Sequence, residues 1–156
     1  MGCMNYTKED CIRDTMNHIK QVRLLMKFLI NKLEDRAIDH DASKLQSPEI
    51  EIFTEYTPKL KTSTYGSKEY KQFLKEMKVA LDHHYANNSH HPEYYENGIN
   101  GMDLLDVIEM VCDWMAATMR HDDGDIMKSI EINKERFGIS DQLVGIIRNT
   151  VERYFI

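Results

Sequence analysis

Seven histidines and a set of carboxylates stand out in this 156-residue chain because of where they fall. His40-Asp41 closes a long helical pattern in "AIDHDASKLQSPE", with Lys44 shortly after it. His83-His84 and His90-His91 follow as two pairs. His18 lies four residues before Val22 and seven before Leu25, which puts it on the apolar face of its helix. His84 continues the stripe Tyr70, Phe73, Leu74, Met77, Leu81 and so points inward, whereas His83 is one residue off it. Asp106, Glu109 and Asp113 form an acidic row edged by Val107, Met110, Ala116 and Ala117. A carboxylate at the edge of a core needs a partner, and a cation is the natural one. Imidazole nitrogens with carboxylate oxygens suit manganese, iron, cobalt, nickel or zinc better than calcium. Taken alone, His40-Asp41 also reads as two polar residues where a helix stops. The second such dipeptide, His121-Asp122, sits in a polar "RHDDGD" turn with no lysine at the matching place.

The elements that must position these residues are helical nearly throughout. Thr7 and Asp10 have capping-box spacing, and Ile12, Ile19, Val22, Met26, Leu29 and Leu33 keep a helical period to about residue 37. Ser47-Pro48 reads as a cap with proline at the first helical position, opening a short helix through Phe53. "TPKLKTSTYGS" reads as a loop, and Ser67 then caps one helix that runs through His84. After "NNSHHPEYYENGING" breaks the pattern, helices are expected at about 102–120, 125–136 and 140–154, the last capped by Ser140. In that last helix Val144, Ile147 and Val151 suit either core closure or a homodimer face. With no β-alternation, no repeat and no linker, the chain reads as a single all-α domain, 1–156.

Composition narrows the function. Hydrophobic residues are 42% and charged residues 29%, as in a folded globular protein. The net charge of −6 and the absence of a basic stripe argue against a nucleic-acid partner. Cys3, Cys11 and Cys112 have no paired spacing and read as free thiols of a reducing compartment. No signal pattern opens the chain and its apolar runs are too short to span a bilayer, so the expectation is a cytoplasmic protein without a membrane partner.

The order His18, His40-Asp41, the His83 to His91 cluster and Asp113 resembles the H…HD…H…H…D signature of the HD-domain superfamily of metal-dependent phosphohydrolases. "HDASK" is similar to its H-D-x-G-K run, and "EMVCDWMAAT" resembles the helix segment that carries its last aspartate. The pattern "NHIKQV…HDASKL…HHYANNSHHPEYY…EMVCDW" is closer still to an uncharacterised family of small helical phage and bacterial proteins. The chain departs from the superfamily in a short His18–His40 spacing and in Ser43 where glycine is usual. Both departures keep the ligands and leave the substrate open.

The fold so implied is a single HD-like helical bundle of about six to seven helices. Carried over by position, His18, His40, Asp41 and Asp113 would hold one divalent transition-metal ion. Asp41 would bridge to a second ion held by His84 with His90, His91 or both. Such a pair would clamp a phosphoryl oxygen and bring the pKa of an attacking water to about 7. Asp41, Lys44 and Glu109 would be the catalytic set, Lys44 neutralising the phosphate and Glu109 orienting a ligand or accepting a proton. Lys44, Asn88 and Tyr94 would contact the substrate, a small phosphorylated molecule, in the first place a nucleotide. Two other classes share these residues. Some HD-fold oxygenases hold two irons with the same set, and "HHPEYY" has some likeness to a ligand segment there. A non-catalytic protein could use the pocket to sequester a nucleotide.

Overall fold

The computed structural model describes residues 6–63, 67–120 and 124–156. Cys3, Thr64, Tyr65 and Gly66 near the end of the "TPKLKTSTYGS" segment, and His121-Asp122 lie outside the described residues. The chain falls into two compact units, Met1–Ile38 and Asp39–Ile156.

The first unit is nearly all one helix, α1 (Lys8–Asp39). Its start is the expected box: the Asp10 N–H donates to Thr7 Oγ1 (3.1 Å) and the Thr7 N–H donates to Asp10 Oδ2 (3.0 Å). None of its residues is buried, and Ile12, Ile19 and Met26 are exposed.

The second unit opens with a 3₁₀ turn, Ala42–Leu45, and continues through α2 (Glu49–Thr62), α3 (Lys68–Glu76) and α4 (Lys78–Asn87). Short 3₁₀ turns at Pro92–Tyr94 and Gly98–Gly101 lead to α5 (Leu104–Thr118), α6 (Ile126–Phe137) and α7 (Asp141–Tyr154). Among the described residues there is no strand, so the fold is all-α with seven α-helices.

Three local expectations need correction. Ser47 does not cap α2; Pro48 holds the cap position, makes no side-chain cap bond, and follows a cis peptide. The backbone closes that turn instead, the Ile50 N–H donating to Gln46 O (3.0 Å). The first half of the expected loop is helical, because α2 runs through Pro58 to Thr62. Proline removes one intrahelical donor. Here side chains support the turn around it: Lys59 pairs with Glu55 and lies over the Tyr56 ring, and Thr62 Oγ1 donates to Lys59 O (3.1 Å). Finally, the helix expected from Ser67 to His84 breaks at Met77 (φ −77°, ψ −2°), giving α3 and α4. Met77 is itself buried, so packing rather than helix propensity decides the break.

The core joins α5, α6 and α7 around Val111, Met115, Ile130, Val144, Ile147 and Val151. Trp114 stacks on Phe137 beside it, with ring centroids 6.4 Å apart. Val144, Ile147 and Val151 therefore close the core. Complete burial of side chains such as Ile130 and Val151 is worth about 1.5–3 kcal/mol each. Asp103 and Asp106 cap α5 reciprocally, which fixes its start and the rotation of its acidic row. α2 packs on α4 and on the Ala42–Leu45 turn, bringing that turn, α4 and the Pro92–Tyr94 turn together.

Candidate metal centre

Asp41 is the one described non-glycine residue with positive φ (56°, ψ 16°). Aspartate tolerates this left-handed region better than most side chains because its short carboxylate can bond locally. The turn carries the chain straight into Ala42–Leu45, and Lys44 Nζ comes back to donate to Asp41 Oδ2. His40 and Asp41 thereby present Nε2 and Oδ2 within 3.5 Å of each other.

α4 and the segment after it supply the other imidazoles. His84 Nε2 is 3.4 Å and His90 Nε2 is 3.5 Å from Asp41 Oδ1, and His91 Nε2 is 2.9 Å from His84 Nε2. Asp41, His84, His90 and His91 thus form a four-residue group with one ligand atom each, all within 4.8 Å of one another. Two smaller groups share its members: His40, His90 and Glu109, and His40, Asp41 and Asp113. In the last, Asp113 Oδ1 stands 3.8 Å from His40 Nε2.

Two observations test whether a metal suits these atoms. Asp41 Oδ1 and His90 Nε2 are buried side-chain atoms without a hydrogen-bond partner. Buried polar atoms are normally satisfied, so this pair, facing each other at 3.5 Å, is short of a common partner. Metal–ligand bonds of 2.0–2.1 Å place neighbouring ligand atoms about 2.9 Å apart at a right angle and about 3.4 Å apart at a tetrahedral angle. The separations of 2.9, 3.4 and 3.5 Å match that range. Buried His/Asp/Glu groups that could hold a metal ion are therefore present.

The imidazoles are oriented from behind by two carboxylates. Glu109 Oε1 meets His40 Nδ1 at 2.8 Å and His90 Nδ1 at 3.0 Å. Glu49, fully buried at the start of α2, meets His83 Nδ1 at 2.6 Å through Oε1 and His84 Nδ1 at 2.9 Å through Oε2. A carboxylate at Nδ1 keeps the proton there and leaves the Nε2 lone pair for a cation. His40, His84 and His90 all have this arrangement.

Charge follows the same logic. Burial pushes the Asp41 carboxyl up, but the Lys44 hydrogen bond and charge, with His40 and His84, outweigh it and hold the group below its usual range. Glu49 is held low in the same way, burial being overcome by hydrogen bonds from His83 and Ser43 and the charge of His84. Burial, then the Lys44 charge, depresses His84 despite Asp41 and Glu49. His91 is lowered to about 3, first by burial and then by His90 and His84, so it is neutral and available as a ligand.

Of the residues singled out in the sequence, His40, Asp41, Lys44, His84, His90, His91, Glu109 and Asp113 come together here. His18 lies on α1, in the first of the two units, and the three groups are drawn from the second. Asn88 is buried, its amide donating to Ser43 Oγ (2.8 Å) and His84 O (2.7 Å). Tyr94 is 46% exposed and packs edge-on against Tyr95. Asp106 is buried and belongs to none of the three groups, accepting from Ser89 Oγ (2.7 Å), Tyr95 OH (2.6 Å) and the Asp103 N–H (2.9 Å). Glu49 was missed because a glutamate in a first helical turn ordinarily complements the helix dipole at the surface. Ser43, noted as a departure, is the hydroxyl that links Asn88 to this network.

A cavity of about 440 Å³ opens beside Asp41, Lys44, His84 and His91, and Arg120 from beyond the end of α5 also lines it.

The chain belongs to a family described as DUF5662, a family of unknown function, whose sequence profile matches residues 7–153. No curated protein and no solved structure matches it.

Proposed function

We propose that this member of the DUF5662 family is a metal-dependent phosphohydrolase acting on a small phosphorylated molecule. The observation that carries the reading is the unsatisfied pair, Asp41 Oδ1 and His90 Nε2, inside a group completed by His84 and His91. These four residues would hold one divalent ion, and His40, Asp41 and Asp113 offer a second position that shares Asp41. When bound, such an ion supplies positive charge to a phosphoryl oxygen and acidifies a water.

The chain's own groups do the rest. Glu49 and Glu109 fix the ring tautomers, so the ligand nitrogens need no rearrangement. Lys44 holds Asp41 in place and puts an ammonium at the cavity, where it offsets charge on the phosphate. In the reaction a bond forms between water oxygen and phosphorus and the ester P–O bond breaks. The departing alcohol takes the proton, and the products are an alcohol and phosphate.

A second reading, an iron-dependent oxygenase, draws support from the entry of both His90 and His91 into the four-residue group. The test is phosphate release from a panel of phosphomonoesters, nucleoside monophosphates included, by chain dialysed with manganese or with EDTA. Manganese-dependent release, abolished in Asp41→Asn, is expected. A metal-loaded chain that releases no phosphate, or that consumes oxygen when loaded with iron, would overturn the proposal.

A further inference from the structure

We infer that Arg120 is a second anion-binding residue of this site, and that the cavity takes a monophosphate ester of an apolar or aromatic alcohol. The reaction rests on the phosphohydrolase reading; the binding does not.

The cavity adjoining Asp41, His84 and His91 has a volume of about 440 Å³, within the usual span of small-molecule sites. Its lining is segregated. Phe53 from α2, Met77 between α3 and α4, and Leu81 and Tyr85 from α4 make an apolar wall. Among the described residues, apart from the ligand residues and two cations, the hydroxyls of Thr57 and Tyr85 are the side-chain hydrogen-bonding groups of the lining. A nucleobase carries several edge donors and acceptors, and each one buried without a partner costs free energy. A wall of this kind leaves most of them unmet. An aryl or branched alkyl group fills the same space by burying carbon against carbon.

The two cations differ in their contacts among the described residues. The Lys44 ammonium is committed to Asp41. Arg120 has no acidic partner among the described residues. Its guanidinium presents planar, paired donors that match two phosphate oxygens at once. A cation near a helix C-terminus also complements the helix dipole, and Arg120 lies just beyond α5, its N–H bonded to Ala117 O (3.3 Å). The dipole, however, gives no reason for the side chain to line a cavity that already holds Lys44 and the metal-ligand group.

Titration calorimetry of phenyl phosphate and of adenosine monophosphate, into the full chain with and without manganese, tests this directly. Phenyl phosphate is expected to bind more tightly than the nucleotide. Arg120→Gln, at an exposed position that leaves circular dichroism and metal content unchanged, is expected to weaken phenyl phosphate about 10–100-fold. Affinity within about twofold of wild type in Arg120→Gln, or tighter binding of the nucleotide, would overturn the inference. Arg120-dependent binding of phenyl phosphate without hydrolysis would sustain the inference while refuting the phosphohydrolase reading. Hydrolysis indifferent to Arg120 would do the reverse.

Discussion

Replacing Glu49 should weaken metal binding although Glu49 touches no metal. Its two oxygens hold His83 Nδ1 at 2.6 Å and His84 Nδ1 at 2.9 Å, and the side chain is fully buried. Partners of this kind are worth about 10–100-fold in metal affinity. Glu49→Gln keeps one oxygen and loses the charge. Its amide can turn the oxygen to His84, because half-exposed His83 can change tautomer with help from solvent. The loss is then expected near 10-fold, about 1.4 kcal/mol. Glu49→Ala removes both acceptors, and His84 is free to carry its proton on Nε2, the atom that faces Asp41 and His91. That proton must leave before a metal enters, so the loss should approach 100-fold, about 2.7 kcal/mol. Manganese or zinc titration by calorimetry, with circular dichroism to confirm folding, reads both values. Wild-type affinity within twofold in folded Glu49→Ala would refute the orienting role.

Tyr95→Phe removes the 2.6 Å bond to buried Asp106, which should cost about 1.5–3 kcal/mol and lower Tm by about 3–10 °C. Burial, then the Asp106 hydrogen bond, raises the Tyr95 pKa from 10.0 to about 12, so its contribution is complete below pH 10 and is lost as pH rises through 12. Alkaline melts should show that fall in wild type and lack it in Tyr95→Phe. Gly101→Ala would put a Cβ 2.7 Å from Tyr95 Cβ and 2.8 Å from its Cγ, atoms too near the backbone to swing away. It should destabilise by about 1–3 kcal/mol in denaturant unfolding.

Local chemistry explains what could be read in advance. Thr7, Ser67 and Ser140 cap their helices through bonds made within three residues, so sequence spacing suffices to find them. His84 was legible because five residues of one apolar stripe lead to it, and Glu109 because it falls one turn before Asp113. Glu49 and Arg120 were not, since burial of the first needs α4 against α2 and the second lines a cavity whose other walls are distant in sequence. The break at Met77 and the helix through Pro58 are tertiary outcomes that outweigh local preference. The left-handed turn at Asp41 has no signal beyond the aspartate itself, yet it aims His40 and Asp41 at the same point.

The central claim is that the buried His/Asp group binds divalent metal. Elemental mass spectrometry of the purified chain, beside an Asp41→Ala, His90→Ala double variant, measures it most directly. The account predicts one or two transition-metal ions per chain in wild type and their loss in the folded variant. Wild-type protein without bound metal after incubation with manganese, iron, cobalt and zinc would contradict it.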